Sequence, residues 1–539
     1  MKATKLAVVL VLLCCSACTP QDDRPNIIIM MADDMGYSDI SPYGGEINTP
    51  NLQHLSDNGL RFTQFYNNAR CCPTRAALLT GLYPHQAGVG HMTGDYGYPG
   101  YRGFLGDQTA TIAEVLGDAG YSTYMSGKWH VTKFMGHWNG VDSLRSTDTW
   151  PLQRGFDRFF GTILGAGSFF DPITLTSGNT PVEQVPEGFF YTDAISDTAA
   201  TYIHDHAARQ DENPFFMYVS YTAPHWPLHA LEKDVVPYKG RYDAGWDAIR
   251  EERHARMKEI GLLDDSWKLT PRDPRVPAWD ELNEKDKTWY SRAMEVYAAQ
   301  VDNMDQGIGR IVEALEATRE LDNTLILFLA DNGGCAEVLS QQWNGMFITS
   351  ETIDGRPVVL GNEFKDKMPG PEDTYMSYGI GWANASNTPF RLYKHWVHEG
   401  GISTPLIAHW PSKFKGSGQF THEPGHVVDL MATAVDVGRA QYPTDKTPMA
   451  GKSLMPAMQN QSIDREAIFW EHEGNRAVRQ GKWKLVSRHG QPWELFDIEA
   501  DRSEMNNLAE AEPERLQAMI ADYNAWADAS LVRPWPARD

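Results

Sequence analysis

Several short apolar runs recur along the chain, and four of them give way to charged or polar residues at the carboxyl end. Asn26 to Ala32 stops at Asp33-Asp34, and Tyr121 to Met125 stops before Lys128 and His130. Phe215 to Tyr221 stops before His225, and Thr324 to Ala330 stops at Asp331-Asn332. Continuous apolar runs of this length predict strands buried on both faces, as in a parallel sheet covered by helices. In such sheets function gathers beyond the carboxyl ends of the strands. Polar groups delivered there by four separate strands are hard to explain as packing.

Helical patterns alternate with these strands. Thr111 to Asp118 carries a capping box, Thr111-x-x-Glu114, and an apolar stripe of Ile112, Val115, Leu116 and Ala119. Lys287 to Ala317 reads as a long amphipathic helix, whereas His229 to Glu284, rich in proline and charge, predicts loops and short helices. Beyond about Tyr442 the pattern changes. Ala467 to Trp470, Trp483 to Val486 and Trp493 to Asp497 predict short strands. Pro513 then sits at N1 of a final helix with Leu516, Met519, Ile520 and Tyr523 at i, i+3, i+4 and i+7. The expected fold class is α/β. A large mixed, mostly parallel sheet sandwiched by helices fills a catalytic unit of residues 25–442, and a smaller C-terminal α+β subdomain with a short antiparallel sheet occupies 443–539.

Composition narrows the partners. The chain has 539 residues and a formal charge of −23, so it lacks the basic footprint that nucleic acid requires. Lys2 and Lys5 precede an apolar run, Leu6 to Leu13, that is too short to span a bilayer. Ser16-Ala17-Cys18 resembles the end of a bacterial lipobox, although Cys15 stands at −3 in place of leucine. Residues 1–17 are therefore expected to be a lipoprotein-type signal peptide with a lipid anchor at Cys18, an ordinary cleaved signal being the alternative. That placement predicts an exported, periplasmic or outer-membrane/cell-surface lipoprotein of a bacterium. Three of the six cysteines belong to this leader, leaving Cys71, Cys72 and Cys335. So few cysteines make no disulfide framework and no zinc spacing, which favours a chemical role for one of them.

Cys71-Cys72-Pro73-Thr74-Arg75 reads C-x-P-x-R and runs into Ala76-Ala77-Leu78-Leu79-Thr80-Gly81. Arg75 stands four residues, one helical turn, beyond Cys71, so a helix starting here would set both on one side with its amino terminus near the thiol. Asp33-Asp34 and Asp331-Asn332 offer hard oxygen ligands that suit Ca2+ better than Mg2+, although either pair by itself would first be read as a turn or helix cap. Gly127-Lys128-Trp129-His130, Ala223-Pro224-His225-Trp226-Pro227 and Lys394-x-x-x-x-Glu399-Gly400-Gly401 complete the set. Taken in chain order, these motifs resemble type I sulfatases, the arylsulfatase-like branch of the alkaline phosphatase superfamily. The likeness spans Pro25 to about Ala527, and Gly481 to Leu485, Leu495-Phe496-Asp497 and Asn506-Asn507-Leu508 are similar to that family's C-terminal subdomain.

The resemblance implies a sulfuric ester hydrolase. Cys71 would be oxidised to formylglycine by a maturation enzyme, and one hydroxyl of its hydrate would attack sulfur. One Ca2+ would be held by Asp33, Asp34, Asp331, Asn332 and the modified Cys71. Arg75 would hold the hydrate, Lys128 and Lys394 would bind sulfate, His130 would take the proton that lets sulfate leave, and His225 would protonate the departing alcohol. The implied substrate is a sulfated small molecule or glycan. Two alternatives stand beside it: a phosphonate or phosphate ester hydrolase of the same superfamily, and a non-catalytic glycan-binding lipoprotein. His91, Asp95 and Glu471-His472-Glu473-Gly474 are further candidates for lining the pocket, each equally readable as ordinary loop residues. The 17 tryptophans read chiefly as core and fold support.

Overall fold

The apolar runs of the sequence become neighbours in one sheet. A computed structural model describes residues 23–133, 147–209, 213–343, 348–414 and 418–537; the expected signal segment and Cys18 lie outside them. Thr324–Ala330, Asn26–Ala32, Phe215–Ser220 and Ser122–Gly127 lie side by side, all parallel, at the centre of an eleven-stranded sheet. Their register aligns Ala32 with Ala330, Met31 with Ser220 and Ser220 with Gly127. The residues that follow each strand therefore emerge at one level on one edge. Every residue of Asn26–Ala32, Phe215–Ser220 and Thr324–Ala330 is buried, as strands covered on both faces require. Ser403–His409 runs antiparallel between Thr324–Ala330 and Leu60–Tyr66, which makes the sheet mixed. Two hydrophobic cores, one on each face, hold the helices against it.

Helix boundaries follow their local chemistry. Thr111 caps Ile112–Asp118 with both halves of a capping box, and Asn283 caps the 35-residue helix Glu284–Thr318 by accepting from the Asp286 amide. The stretch expected to hold only loops and short helices contains a 15-residue helix, Gly245–Glu259. Its buried face runs Trp246, Ile249, Arg250, Arg253 and Met257, a helical period that two arginines hide from a hydrophobicity reading. Arg253 is fully buried because Asp39 and Glu46 meet its guanidinium at 2.6 and 2.7 Å. Among the described residues no helix is long and apolar enough to cross a membrane.

A four-stranded antiparallel sheet follows near the C-terminus: Ile468–His472, Asn475–Gln480, Trp483–Ser487 and Glu494–Asp497. Asn475–Gln480 escapes a sequence reading because Asn-Arg-Ala-Val-Arg-Gln offers only two adjacent apolar residues. Val478, Leu485 and Leu495 face the helix Pro513–Ala529 through Met519 and Tyr523. Ala477, Val486 and Phe496 face the large sheet's side through Tyr66, Val397 and Ile402. At that seam Glu399 accepts from Lys484 (2.8 Å) and Arg502 (3.0 Å), and Lys484 also meets Glu504 at 2.8 Å. All four are wholly buried. Burial pushes the Glu399 carboxyl up, but Lys484 and Arg502 outweigh it and hold the pKa at about 2.

Replacing Lys484 with Met removes the cation that Glu399 and Glu504 share in the seam. A loss of about 3–5 kcal/mol is expected for breaking such a buried pair, read as a lowered thermal midpoint. A pH effect follows from two buried histidines, His229 and His409, outside the catalytic network. Burial lowers His229 and His409 from 6.5 to about 4. The unfolded chain thus binds more protons between those values, so stability falls as pH drops from about 6.5 towards 4. Urea midpoints across that window should show the decline, with a shallower slope in His229→Gln.

Candidate active site

Helix Cys71–Thr80 is buried along its entire length, and Cys71 is its first residue. Arg70 precedes it in an extended conformation without a side-chain cap, so free backbone N–H groups face the Cys71 end. A hydrogen bond from Cys72, aided by Lys128 and His130, outweighs burial and holds the Cys71 thiol well below its usual pKa. The Cys71 and Cys72 sulfurs and a His130 ring nitrogen lie within 4.8 Å of one another. One turn on, Arg75 is fully buried. Its guanidinium donates to Asp331 Oδ2 (2.8 Å), to the Lys128 carbonyl (3.1 Å) and to the Ser220 hydroxyl.

The strand ends supply carboxylates and lysines at the same level. Lys128 Nζ lies 2.5 Å from Asp33 Oδ2, and Lys394 Nζ lies 2.8 Å from both oxygens of Asp34. Asp34 Oδ1 also accepts from the Asn332 amide at 2.7 Å, and the Asp34 backbone N–H donates to Asp331 Oδ1 at 3.1 Å. Burial raises Asp33 despite Lys128 and Arg75, and burial with the Asp33 charge pushes Asp331 far above the carboxylate range. Asp34 is also buried, but His225 and Lys394 outweigh that and hold it low. Asp33 Oδ1 and Asn332 Oδ1 are buried without any hydrogen-bond partner. Two orphaned oxygens amid carboxylates are the donor set a hard cation takes.

Close backbone approach sets the remaining groups. Gly127 has φ 112°, and a Cβ there would stand 1.9 Å from the Ser220 carbonyl oxygen. Only glycine lets the Lys128 amide reach that oxygen at 2.7 Å. His130 follows with φ 57°, and its ring lies so near Gly165 that a Cβ at 165 would meet Cε1 at 2.1 Å. Burial first, then Lys128, lowers His130 to about 4. Burial likewise takes His225 to about 4 even with Asp34 3.3 Å away. His225 Nδ1 lies 2.6 Å from the Trp226 carbonyl, which selects the tautomer with N–H at Nδ1 and a lone pair at Nε2, 3.4 Å from Lys394 Nζ.

All the residues singled out for catalysis and metal binding therefore meet in one network: Asp33, Asp34, Cys71, Arg75, Lys128, His130, His225, Asp331, Asn332 and Lys394. Of the weaker candidates, Asp95 pairs with Arg102 and Lys133, and Glu471 pairs with the buried His85 at 2.7 Å. His91, His472 and Glu473 gather with one another. Two members were missed. Ser220 ends its strand beside Gly127, a position the strand-end logic could have flagged. Glu337 carried no sequence signal, yet it links Arg70 (2.9 Å) to the Trp226 indole (2.9 Å) beside Lys394.

The family profile described as Sulfatase matches residues 25–439, more than half of the chain. The chain belongs to the sulfatase family. A second profile, described as N-sulphoglucosamine sulphohydrolase, C-terminal, matches residues 390–523 of this sulfatase. An uncharacterised sulfatase of Schizosaccharomyces pombe is 32% identical, covering 93% of this chain and 93% of its own. An arylsulfatase of Klebsiella aerogenes is 34% identical over 84% of this chain and 96% of its own. An N-acetylglucosamine-6-O-sulfatase of Bacteroides thetaiotaomicron is 27% identical over 92% and 84%. Among solved structures, Ps i-CgsB in complex with k-i-k-neocarrahexaose superposes with a TM-score of 0.66 at 24% identity, covering 94% of this chain and 93% of that one. The phosphonate monoester hydrolase of Agrobacterium radiobacter shares the fold at a TM-score of 0.55, 18% identity and coverages of 94% and 96%. The sulfatase is thus a sulfuric ester hydrolase on an α/β fold shared with other ester hydrolases.

Gly165 offers a test of the geometry around His130. Gly165→Ala should shift the imidazole and lower kcat by about 10²-fold, with the thermal midpoint nearly unchanged. Steady-state rates and a melting curve on the same preparation check both parts.

Proposed function

We propose that this sulfatase cleaves sulfate monoesters of a sulfated carbohydrate or aryl alcohol, using Cys71 matured to formylglycine and one Ca2+ held by Asp33, Asp34, Asp331, Asn332 and residue 71. The observation that carries the cation is the pair of orphaned buried oxygens, Asp33 Oδ1 and Asn332 Oδ1. Charge argues the same way. Arg75, Lys128 and Lys394 each already stand opposite a carboxylate, so an anionic sulfate ester needs further positive charge. When bound, Ca2+ supplies that charge and polarises a sulfate oxygen, and hydrated formylglycine supplies a hydroxyl nucleophile.

The chain's own residues do the rest. Arg75, locked by Asp331, Ser220 and the Lys128 carbonyl, orients residue 71 at the helix amino terminus. Lys128 and Lys394 turn from their carboxylates towards the sulfate oxygens. His130, neutral at pH 7, is fit to accept a proton from residue 71. His225 is neutral too, and an anion bound beside it raises its proton affinity, which suits it to donate to the leaving oxygen. Trp226 packs on His225 with ring centroids 4.3 Å apart, and Trp343 stands edge-on to Trp226 at 4.9 Å. Half-buried aromatic faces beside the leaving-group histidine suit a sugar or aryl ring. The lipobox-like leader supports placement as an exported lipoprotein anchored at Cys18, facing sulfated glycans outside the cytoplasm.

Peptide mass spectrometry of protein made with a maturation enzyme should show a loss of about 18 Da at residue 71, the change from thiol to aldehyde. Cys71→Ala should lower the rate on an aryl sulfate by at least about 10³-fold. An intact thiol in active protein would overturn the nucleophile. Faster turnover of the phosphate ester of the same aryl alcohol would favour a phosphate ester hydrolase instead.

A further inference from the structure

We propose a second metal site, for a zinc-class divalent cation, formed by His91, His472 and Glu473. The hairpin between Ile468–His472 and Asn475–Gln480 turns through Glu473 and Gly474, with φ of 51° and 79°. Two-residue turns of this hand favour asparagine or glycine at the first position, and a non-glycine residue held left-handed there is strained. The turn thus holds a carboxylate where the backbone alone would prefer another residue.

That carboxylate meets two imidazoles. Glu473 Oε1 lies 3.1 Å from His91 Nδ1 and 3.7 Å from His472 Nε2, and the two rings stack with centroids 6.0 Å apart. One ligand atom from each of the three residues falls within 4.8 Å of the others. Neither ring nitrogen of His472 makes a hydrogen bond, although its side chain is fully buried. Bonds of about 2.0 Å to a tetrahedral zinc put ligand atoms about 3.3 Å apart, between the two separations seen here.

His395 Nδ1 takes the other oxygen of Glu473, Oε2, at 3.0 Å and fixes the carboxylate's rotation, as an outer-shell partner would. Two nitrogens and one oxygen suit zinc better than calcium, whose sites are built of oxygen. His91 is partly exposed, which leaves a path for the ion and room for water as a further ligand. A bound ion would join the C-terminal hairpin to the loop that carries His91. It would also brace His395, the neighbour of Lys394, and so stiffen one wall of the catalytic pocket.

The test uses the untagged full-length protein, stripped with EDTA and dialysed against Ca2+ with either Zn2+ or Co2+. Elemental analysis should find one more zinc per chain in the wild type than in His472→Ala or Glu473→Gln, and the cobalt form should show visible bands of nitrogen ligation. His91→Ala, at a partly exposed loop position, should weaken zinc at least about tenfold and guards against a folding defect at buried residue 472. Asp331→Asn should keep both signals. Wild type without bound zinc, equal zinc in wild type and all variants, or loss of the cobalt bands in Asp331→Asn would each overturn the site.

Discussion

Asp33, Asp34 and Asp331 share a water-poor space with Arg75, Lys128 and Lys394, and the rest of the molecule serves to hold those opposed charges together. An isolated ion buried there would cost several kcal/mol, whereas two opposite charges at 4 Å recover about 4 kcal/mol at an effective dielectric near 20. The balance is close, so the arrangement survives only because rigid strand ends fix every partner. Burial first, and repulsion among the acids after it, raises the pKa values of Asp33 and Asp331. The orphaned oxygens mark where compensation within the chain stops.

Position follows from the sheet. Parallel pairing with aligned register brings Asp33, Asp331, Lys128 and the Phe215–Ser220 strand end to one edge, and the buried helix Cys71–Thr80 closes the space. Lys394 arrives by another route. It lies on the loop before Glu399–Ile402, and Glu399 is clamped by Lys484 and Arg502 from the C-terminal side. The Glu-Gly-Gly segment that read as context for a sulfate-binding lysine thus anchors that lysine's loop through a buried ion cluster. The C-terminal sheet is part of the pocket's support, and its hairpin brings His472 and Glu473 against the His91 loop.

The four central strands, the Thr111-capped helix and the C-terminal helix were legible because burial on both faces writes continuous apolar runs, a cap writes a short polar signature and an amphipathic helix writes a period. Gly245–Glu259 and Asn475–Gln480 were not, because arginines occupy buried positions in each. Such residues become tolerable inside only when distant acids or hydroxyls meet them, as Glu46 meets Arg253 and Tyr66 meets Arg479. No local pattern can announce those partners.

For the site, the sequence by itself determined which chemistry-bearing residues stand at strand ends, since type and spacing are local properties. Cys71 and Arg75 fall on one face because a helical turn links them. Tertiary structure alone decided that Lys128 pairs with Asp33 and Lys394 with Asp34, and that Ser220 and Glu337 join them. It also brought His91 and the His472-Glu473 stretch, two separate candidates for lining the pocket, into one cluster. Those outcomes depend on register, burial and the meeting of segments hundreds of residues apart, which three-dimensional packing sets and one-dimensional order does not.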